Sequence, residues 1–119
     1  MIKFMVNLIA INTVDRQRRT APIKVMVDTG AENSWLPRKA LEDAGIAVEC
    51  KKRYMTADKR IIERDVGHAI LSAEGFSVID EVVFADENDL SLLGVRTIEG
   101  FHAMVDNVAQ RFVETIATV

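Results

Sequence analysis

The sequence has 119 residues, of which 49% are hydrophobic, so it can form one domain with a buried core, and a disordered tail protein is excluded. Its formal net charge of -3 gives no general attraction to nucleic acid or to an anionic membrane. The single cysteine cannot form an internal disulfide, and with two well-separated histidines it makes no recognisable zinc site. We therefore predict no metal and no cofactor.

The first element is a β-strand, because hydrophobic residues alternate with other residues from the start of the chain. Its inward face is predicted to carry Ile2, Phe4, Val6, Leu8 and Ala10. This stretch lacks a small-residue cleavage site and is too short to cross a bilayer. We expect a cytoplasmic protein without a membrane partner.

A second strand is predicted after the polar segment TVDRQRRT, which reads as a hairpin loop. Pro22 opens this strand, and Ile23, Val25 and Val27 share one of its faces. The strand ends at Asp28. The arginines of the loop are interpreted as a solvated tip, and a nucleic-acid-associated β-barrel that binds through them is a weaker alternative.

A short helix is predicted next. Pro37 suits its first position, Leu41 and Ala44 can point inward, and Gly45 is placed to end it. Trp35, just before this helix, is interpreted as a packing residue of the core or of an interface, with a substrate pocket as the alternative.

The second half of the chain is predicted to be almost entirely β. The segment 48–71 reads as two strands joined by a polar tip at 57–60, and a turn at 73–75 leads into a strand in which hydrophobic residues alternate up to Phe84. Asp80 interrupts that alternation, and it is expected to point outward together with Glu81. LSLLGVRTIEGF is predicted to be a strand followed by a helical turn, and the remainder a last hairpin around 107–110.

The segment VMVDTGAENSW places a carboxylate, Asp28, at the end of a buried strand, followed by Thr29 and Gly30. Glycine permits a tight turn and the close approach of another chain segment. Asp-Thr-Gly alone is a weak signal, because Asp and Gly are common in turns. Its context is more specific, since a second junction of a strand with a glycine, LLGV, follows some sixty residues later.

These three blocks, DTGAENS, the tip TADKR and LLGVRTIEGF, resemble the retropepsin-like aspartic proteases, particularly the small bacterial and archaeal members. The resemblance covers most of the chain. It implies a single retropepsin-like domain over residues 1–119, mostly β, a single-lobed closed β-barrel of the acid protease fold with one or two short helices. It also implies a homodimer with its active site on the two-fold axis.

The resemblance implies an aspartic endopeptidase that hydrolyses peptide bonds of extended peptide substrates. Two carboxylates must share a proton in this chemistry, and one Asp-Thr-Gly per chain supplies half of the pair. The implied catalytic residues are Asp28, Thr29 and Gly30, and the implied substrate-binding residues are Gly30, Ala31, Glu32, Ala57, Asp58 and Lys59. The implied partners are a peptide or protein substrate and a second copy of the chain. A dimeric peptide-binding or scaffold module with little turnover is the alternative.

Two features depart from the family pattern. The tip TADKR contains no glycine, and Lys59 stands where related tips commonly have one. Val95 follows the second glycine, where viral relatives carry an arginine paired with the acid of the first block. Arg96 or Arg38 is the candidate partner of Glu32 in this chain.

Overall fold

The computed structural model describes residues 4–119, and in that range it forms nine β-strands and two helices of six residues. The elements are β1 (Met5–Ile11), β2 (Ile23–Asp28), β3 (Ser34–Pro37), α1 (Arg38–Asp43), β4 (Cys50–Met55), β5 (Ile61–Ala73), β6 (Phe76–Ala85), β7 (Leu92–Gly94), α2 (Val95–Gly100), β8 (Ala103–Asp106) and β9 (Arg111–Glu114). The mostly β composition with two short helices confirms that part of the predicted fold class.

The first two strands form the predicted hairpin. β1 and β2 pair antiparallel, with Leu8 opposite Ile23 and Met5 opposite Met26. The predicted inward face of β1 is buried from residue 4 to residue 10 at every second position, and Ile2 lies outside the described residues. Alternation therefore predicted this strand correctly.

Seven of the strands form one sheet in the order β1, β2, β7, β3, β6, β5, β4. β1 also pairs with β5, with Ala10 opposite Leu71, so six of these strands close into a ring and β4 is attached to β5 outside it. β8 and β9 form a separate two-stranded sheet. β4 is consequently an edge strand of the large sheet among the described residues.

The core lies between these elements and is made of aliphatic and aromatic side chains. The largest fully buried hydrophobic side chains are Phe84, Leu8, Leu36, Leu41, Leu71 and Leu93. Burial of each stabilises the fold by about 1.5–3 kcal/mol relative to an exposed side chain. Phe4, Phe76, Phe101 and Phe112 form an aromatic cluster that joins the β8–β9 hairpin to this core.

β3 was not predicted from the sequence. Its four residues pair in parallel with β6, with Ser34 opposite Val82, and Trp35 pairs antiparallel with Leu92 of β7. Pro37 ends this strand instead of opening the helix, and α1 begins at Arg38. The inward face of the helix is confirmed by the burial of Leu41 and Ala44, and its terminal glycine has a φ of +72°.

The remaining predicted elements are confirmed. β4 and β5 pair up to Met55 and Ile61, leaving 56–60 as the tip, and β5 and β6 are joined by a turn at 74–75. β7 leads into α2 as predicted, and β8 and β9 enclose the turn at 107–110.

The outward orientation predicted for Asp80 and Glu81 is wrong. The Glu81 side chain is only 12% exposed and forms ion pairs with Lys52 of β4 and with Arg96 of α2. Asp80 is half-buried, and its Oδ2 accepts a hydrogen bond of 2.8 Å from the Thr97 hydroxyl. Both carboxylates are therefore bonded to other elements instead of pointing freely outward.

Candidate active site

Asp28 is the last residue of β2, and it lies opposite Gly94 in the parallel pairing of β2 with β7. Its Oδ1 accepts a hydrogen bond of 2.9 Å from the Gly30 amide. The Ala31 amide donates to the Asp28 carbonyl oxygen at 3.1 Å, which closes a tight turn. The turn orients the carboxylate and leaves it partly exposed.

The loop after Asp28 is bound by the first amides of α2. Val95 donates to the Ala31 carbonyl at 2.8 Å, and Arg96 donates to the Glu32 carbonyl at 3.1 Å. The Gly94 amide donates to Ser34 Oγ at 3.0 Å. Because the first amides of a helix have no partner within the helix, this loop satisfies them and is held in return.

Gly94 is required here by space rather than by conformation. Its φ of -89° and ψ of 168° are open to any residue. A Cβ at this position would lie 2.9 Å from the Glu32 carbonyl oxygen and closer still to the Asn33 carbonyl. The absence of a side chain thus lets β7 approach the backbone of the Asp28 loop.

An open cavity of about 550 Å³ lies in front of Asp28. Four of the predicted site residues line it together with Asp28, namely Gly30, Ala31, Glu32 and Ala57. Thr29 is exposed and follows Asp28 directly in the chain, whereas Asp58 and Lys59 are exposed at the hairpin tip and are not among the lining residues. The arrangement brings the first block of the motif and the base of the tip to the same cavity.

Several cavity residues were missed by the sequence reading. The Tyr54 hydroxyl donates to Asn33 Oδ1 at 3.0 Å, and its ring meets the Trp35 ring edge-on with centroids 5.2 Å apart. Trp35 packs against Tyr54 as predicted, and it also lines the cavity. Burial raises the pKa of Tyr54 to about 12, so its hydroxyl keeps its proton. The sequence signal that could have indicated Tyr54 as a cavity residue was its position in the strand that leads into the tip.

The tip without glycine forms a tight turn. The Thr56 amide donates to the Arg60 carbonyl at 2.8 Å, and the Lys59 amide donates to the Thr56 carbonyl at 2.9 Å. Lys59 has a φ of 65°, in the left-handed region that glycine normally occupies. The Asp58 carboxylate stabilises the turn by accepting hydrogen bonds from the Thr56 hydroxyl and from Arg60. These two hydrogen bonds, the one from Thr56 first, lower the pKa of the Asp58 carboxyl.

The expected pairing of Glu32 with Arg96 or Arg38 is wrong. Arg96 binds Glu81 at 3.1 Å, and Arg38 binds Asp65 at 2.9 Å. The hydrogen bond from Lys52, followed by the charges of Lys52 and Arg96, lowers the pKa of the Glu81 carboxyl. Glu81 therefore links β4 to α2 as an anion.

Two further properties concern residues 4–119. Their His, Cys, Asp and Glu side chains form no group of three suited to holding a metal ion. Neither helix in this range has the length and apolar character needed to cross a membrane.

Comparison with known proteins identifies the family. A family model described as aspartyl protease matches residues 13–97, which include Asp28, the hairpin tip and Gly94. No curated protein matches the chain. The matched range exceeds half of the sequence and contains the carboxylate, the cavity and the glycine junction described above. The chain belongs to the aspartyl protease family, within the retropepsin-like clan.

Proposed function

We propose that this protein is a homodimeric aspartic endopeptidase that hydrolyses peptide bonds of extended peptides. The observation that carries the proposal is the placement of Asp28, held by the Gly30 amide at a 550 Å³ cavity beneath a hairpin tip, in a chain of the aspartyl protease family. The cavity is open to solvent.

A second copy of the chain is needed because the chemistry uses two carboxylates. Two such groups about 3 Å apart cannot both ionise, so the pair holds one proton and supplies a base and an acid together. The sequence contains one Asp-Thr-Gly. An isologous two-fold contact between two copies would bring two Asp28 side chains to the same axis. The exposure of Thr29 and Gly30 in the single chain supports this contact, in which Thr29 hydroxyls would bond across the axis.

Hydrolysis then proceeds without a covalent intermediate. The ionised Asp28 removes a proton from a bound water, which attacks the scissile carbonyl carbon, while the protonated Asp28 hydrogen-bonds the carbonyl oxygen. One of the two Asp28 carboxyls then gives a proton to the nitrogen as the carbon–nitrogen bond breaks, and the pair is left with one proton, as at the start. The two carboxyls titrate as a pair rather than as separate groups.

The substrate would lie extended across the cavity. Gly30, Ala31 and Glu32 would contact its backbone on one side, and the tip residues Ala57, Asp58 and Lys59 would close over it. β4 is the edge strand that leads into the tip, so its backbone groups can pair with an extended peptide. Closure of the tip would exclude water from the scissile bond.

A cleavage assay tests the proposal. Wild type, Asp28→Asn and the control Asp43→Asn are incubated with a diverse peptide library from acid to neutral pH, and products are read by mass spectrometry. Asp43 is exposed at the end of α1 and does not line the cavity. We expect cleavage by wild type and Asp43→Asn and none by Asp28→Asn, with all three dimeric by size-exclusion chromatography. A wild-type dimer that binds peptides without cleaving them would contradict the proposal and favour a peptide-binding module.

A further inference from the structure

A chain of hydrogen bonds runs through the protein from Asp80 on β6 to Gly94, the residue opposite Asp28. We propose that Asp80 is a positioning residue for Asp28, acting through Thr97 and Ser34, an inference that rests on the proposed function. Ser34 and Thr97 lie in two of the blocks that resemble the family, but none of the three residues lines the cavity or was among the predicted site residues.

The geometry is continuous. Asp80 Oδ2 accepts from Thr97 Oγ1 at 2.8 Å, Thr97 Oγ1 lies 2.6 Å from Ser34 Oγ, and the Gly94 amide donates to Ser34 Oγ at 3.0 Å. Ser34 and Thr97 are fully buried. Two hydroxyls buried at this depth are costly unless both are bonded, and the chain satisfies them.

The carboxylate sets the direction of every bond in the chain. An ionised carboxylate can only accept, so the single proton of Thr97 is used on Asp80. The Ser34 hydroxyl must then donate to Thr97 Oγ1, which leaves a Ser34 lone pair facing the Gly94 amide. Asp80 Oδ1 also accepts from the Glu81 amide at 2.8 Å, so both carboxylate oxygens are used as acceptors.

An amide at position 80 cannot accept from both the Glu81 amide and the Thr97 hydroxyl. With one oxygen and one NH₂ group, Asn can accept from either the Glu81 amide or Thr97, and its NH₂ then faces the other donor. If the NH₂ group donates to Thr97, the Thr97 proton turns toward Ser34, and the Ser34 proton loses its acceptor. Asp80→Asn therefore preserves shape but leaves either the Glu81 amide or the Ser34 hydroxyl without a hydrogen-bond partner.

The far end of the hydrogen-bond chain lies beside the residue that carries the reacting carboxylate. Gly94 is the register partner of Asp28, and the next two amides of α2 hold the Ala31 and Glu32 carbonyls. Loosening of the Ser34 contact would let β7 and the Asp28 loop shift relative to each other. In a two-fold dimer both halves of the carboxylate pair would be displaced, which harms the chemical step more than substrate binding.

The test uses three variants. Thr97→Val removes the hydroxyl at nearly constant shape, Thr97→Ser keeps the hydroxyl, and Asp80→Asn removes one of the two acceptor oxygens at position 80. Measured with a peptide that wild type cleaves, kcat should fall at least about tenfold in Thr97→Val and Asp80→Asn, because misplacement by about 1 Å costs on the order of a hundredfold. KM should stay within about twofold, and Thr97→Ser should remain close to wild type. Exchange of the Gly94 amide hydrogen, followed by NMR, should accelerate about tenfold in the two impaired variants.

The outcomes separate this inference from the proposed function. Asp80 is proposed to act through the Thr97 hydroxyl. If the wild type is active and Thr97→Val and Thr97→Ser have equal kcat, the positioning role of Asp80 is therefore overturned. If wild type cleaves no peptide, the proposed function fails, and equal Gly94 exchange in the same two variants overturns the hydrogen-bond chain. If Thr97→Val does not fold, Asp80→Asn is compared with wild type by the same criteria.

Discussion

Replacement of Gly94 by alanine should damage both stability and the site, because β7 approaches the Asp28 loop too closely for a methyl group. The new Cβ would lie 2.9 Å from the Glu32 carbonyl oxygen, and ordinary contact begins at 3.4 Å, so the loop must move by about 0.5 Å there and further at Asn33. Overpacking of this kind costs about 1–3 kcal/mol. The obstructing atoms are backbone, which cannot rotate away.

Gly67→Ala is the matched control. Its Cβ would meet the Ala47 carbonyl oxygen with a similar overlap and would also contact the Phe84 ring, yet neither residue lines the Asp28 cavity. Both variants should therefore lose about 1–3 kcal/mol in urea unfolding. Only Gly94→Ala should also lower kcat/KM for peptide cleavage, by at least about tenfold, at a temperature where both are folded.

Gly75→Ala separates the effect of space from that of conformation. Nothing lies within 4 Å of its Cβ, but its φ is +85°, so alanine should cost about 1 kcal/mol through backbone strain alone. An unfolding free energy for Gly94→Ala within about 0.5 kcal/mol of wild type would refute the steric argument. Equal losses of kcat/KM in Gly94→Ala and Gly67→Ala would refute its link to Asp28.

Three further predictions concern the core, the pH dependence of stability and the hairpin tip. Phe84→Ala should lower the free energy of unfolding by about 3–5 kcal/mol in urea, since Phe84 is fully buried, and a loss below about 1 kcal/mol would contradict its place in the core. Because the pKa of Glu81 is lowered below its ordinary 4.5 by Lys52 and then Arg96, its contribution to stability is present above that pH and is lost as pH falls through the lower folded pKa. Unfolding of wild type between about pH 3 and 6 should accordingly show a steeper acid loss than Glu81→Gln, and parallel curves would count against it. Lys59→Gly should be nearly neutral, whereas Lys59→Val should cost about 1–2 kcal/mol in thermal unfolding, because a branched residue tolerates a φ of 65° poorly; equal stabilities would speak against a left-handed Lys59.

Local patterns predicted most of the fold. Alternation in β1 and the glycine and proline signals around α1 depend on neighbours in the chain, so a single sequence contains them. The same holds for Asp28, since a carboxylate that ends a hydrophobic strand two residues before a glycine is visible in a few letters. Lys59 shows the limit of such signals, because a lysine in the sequence does not indicate the left-handed φ of 65° that it adopts in the predicted tip.

Distant partners account for what was missed. β3 has four residues, and it forms because β6 and β7 pair with it. These partners are distant in the sequence, since Ser34 of β3 lies opposite Val82, 48 residues later. Asp80 was predicted to be an exposed interruption of an alternating strand. Its actual environment depends on its hydrogen bond to Thr97, which in turn contacts Ser34, 63 residues away from Thr97. Such pairings are set by tertiary structure, which the pattern of one strand does not encode.

Mixing wild-type chains with Asp28→Asn chains tests the shared carboxylate pair most directly. The two are co-refolded at a fixed amount of wild type and a concentration that favours dimers, and peptide cleavage is measured. If each active site needs one Asp28 from each chain, an equal amount of Asp28→Asn should lower cleavage to about half and a ninefold excess to about a tenth, because mixed dimers are inactive. Cleavage that stays constant as Asp28→Asn is added would show that one chain suffices and would contradict the dimeric mechanism.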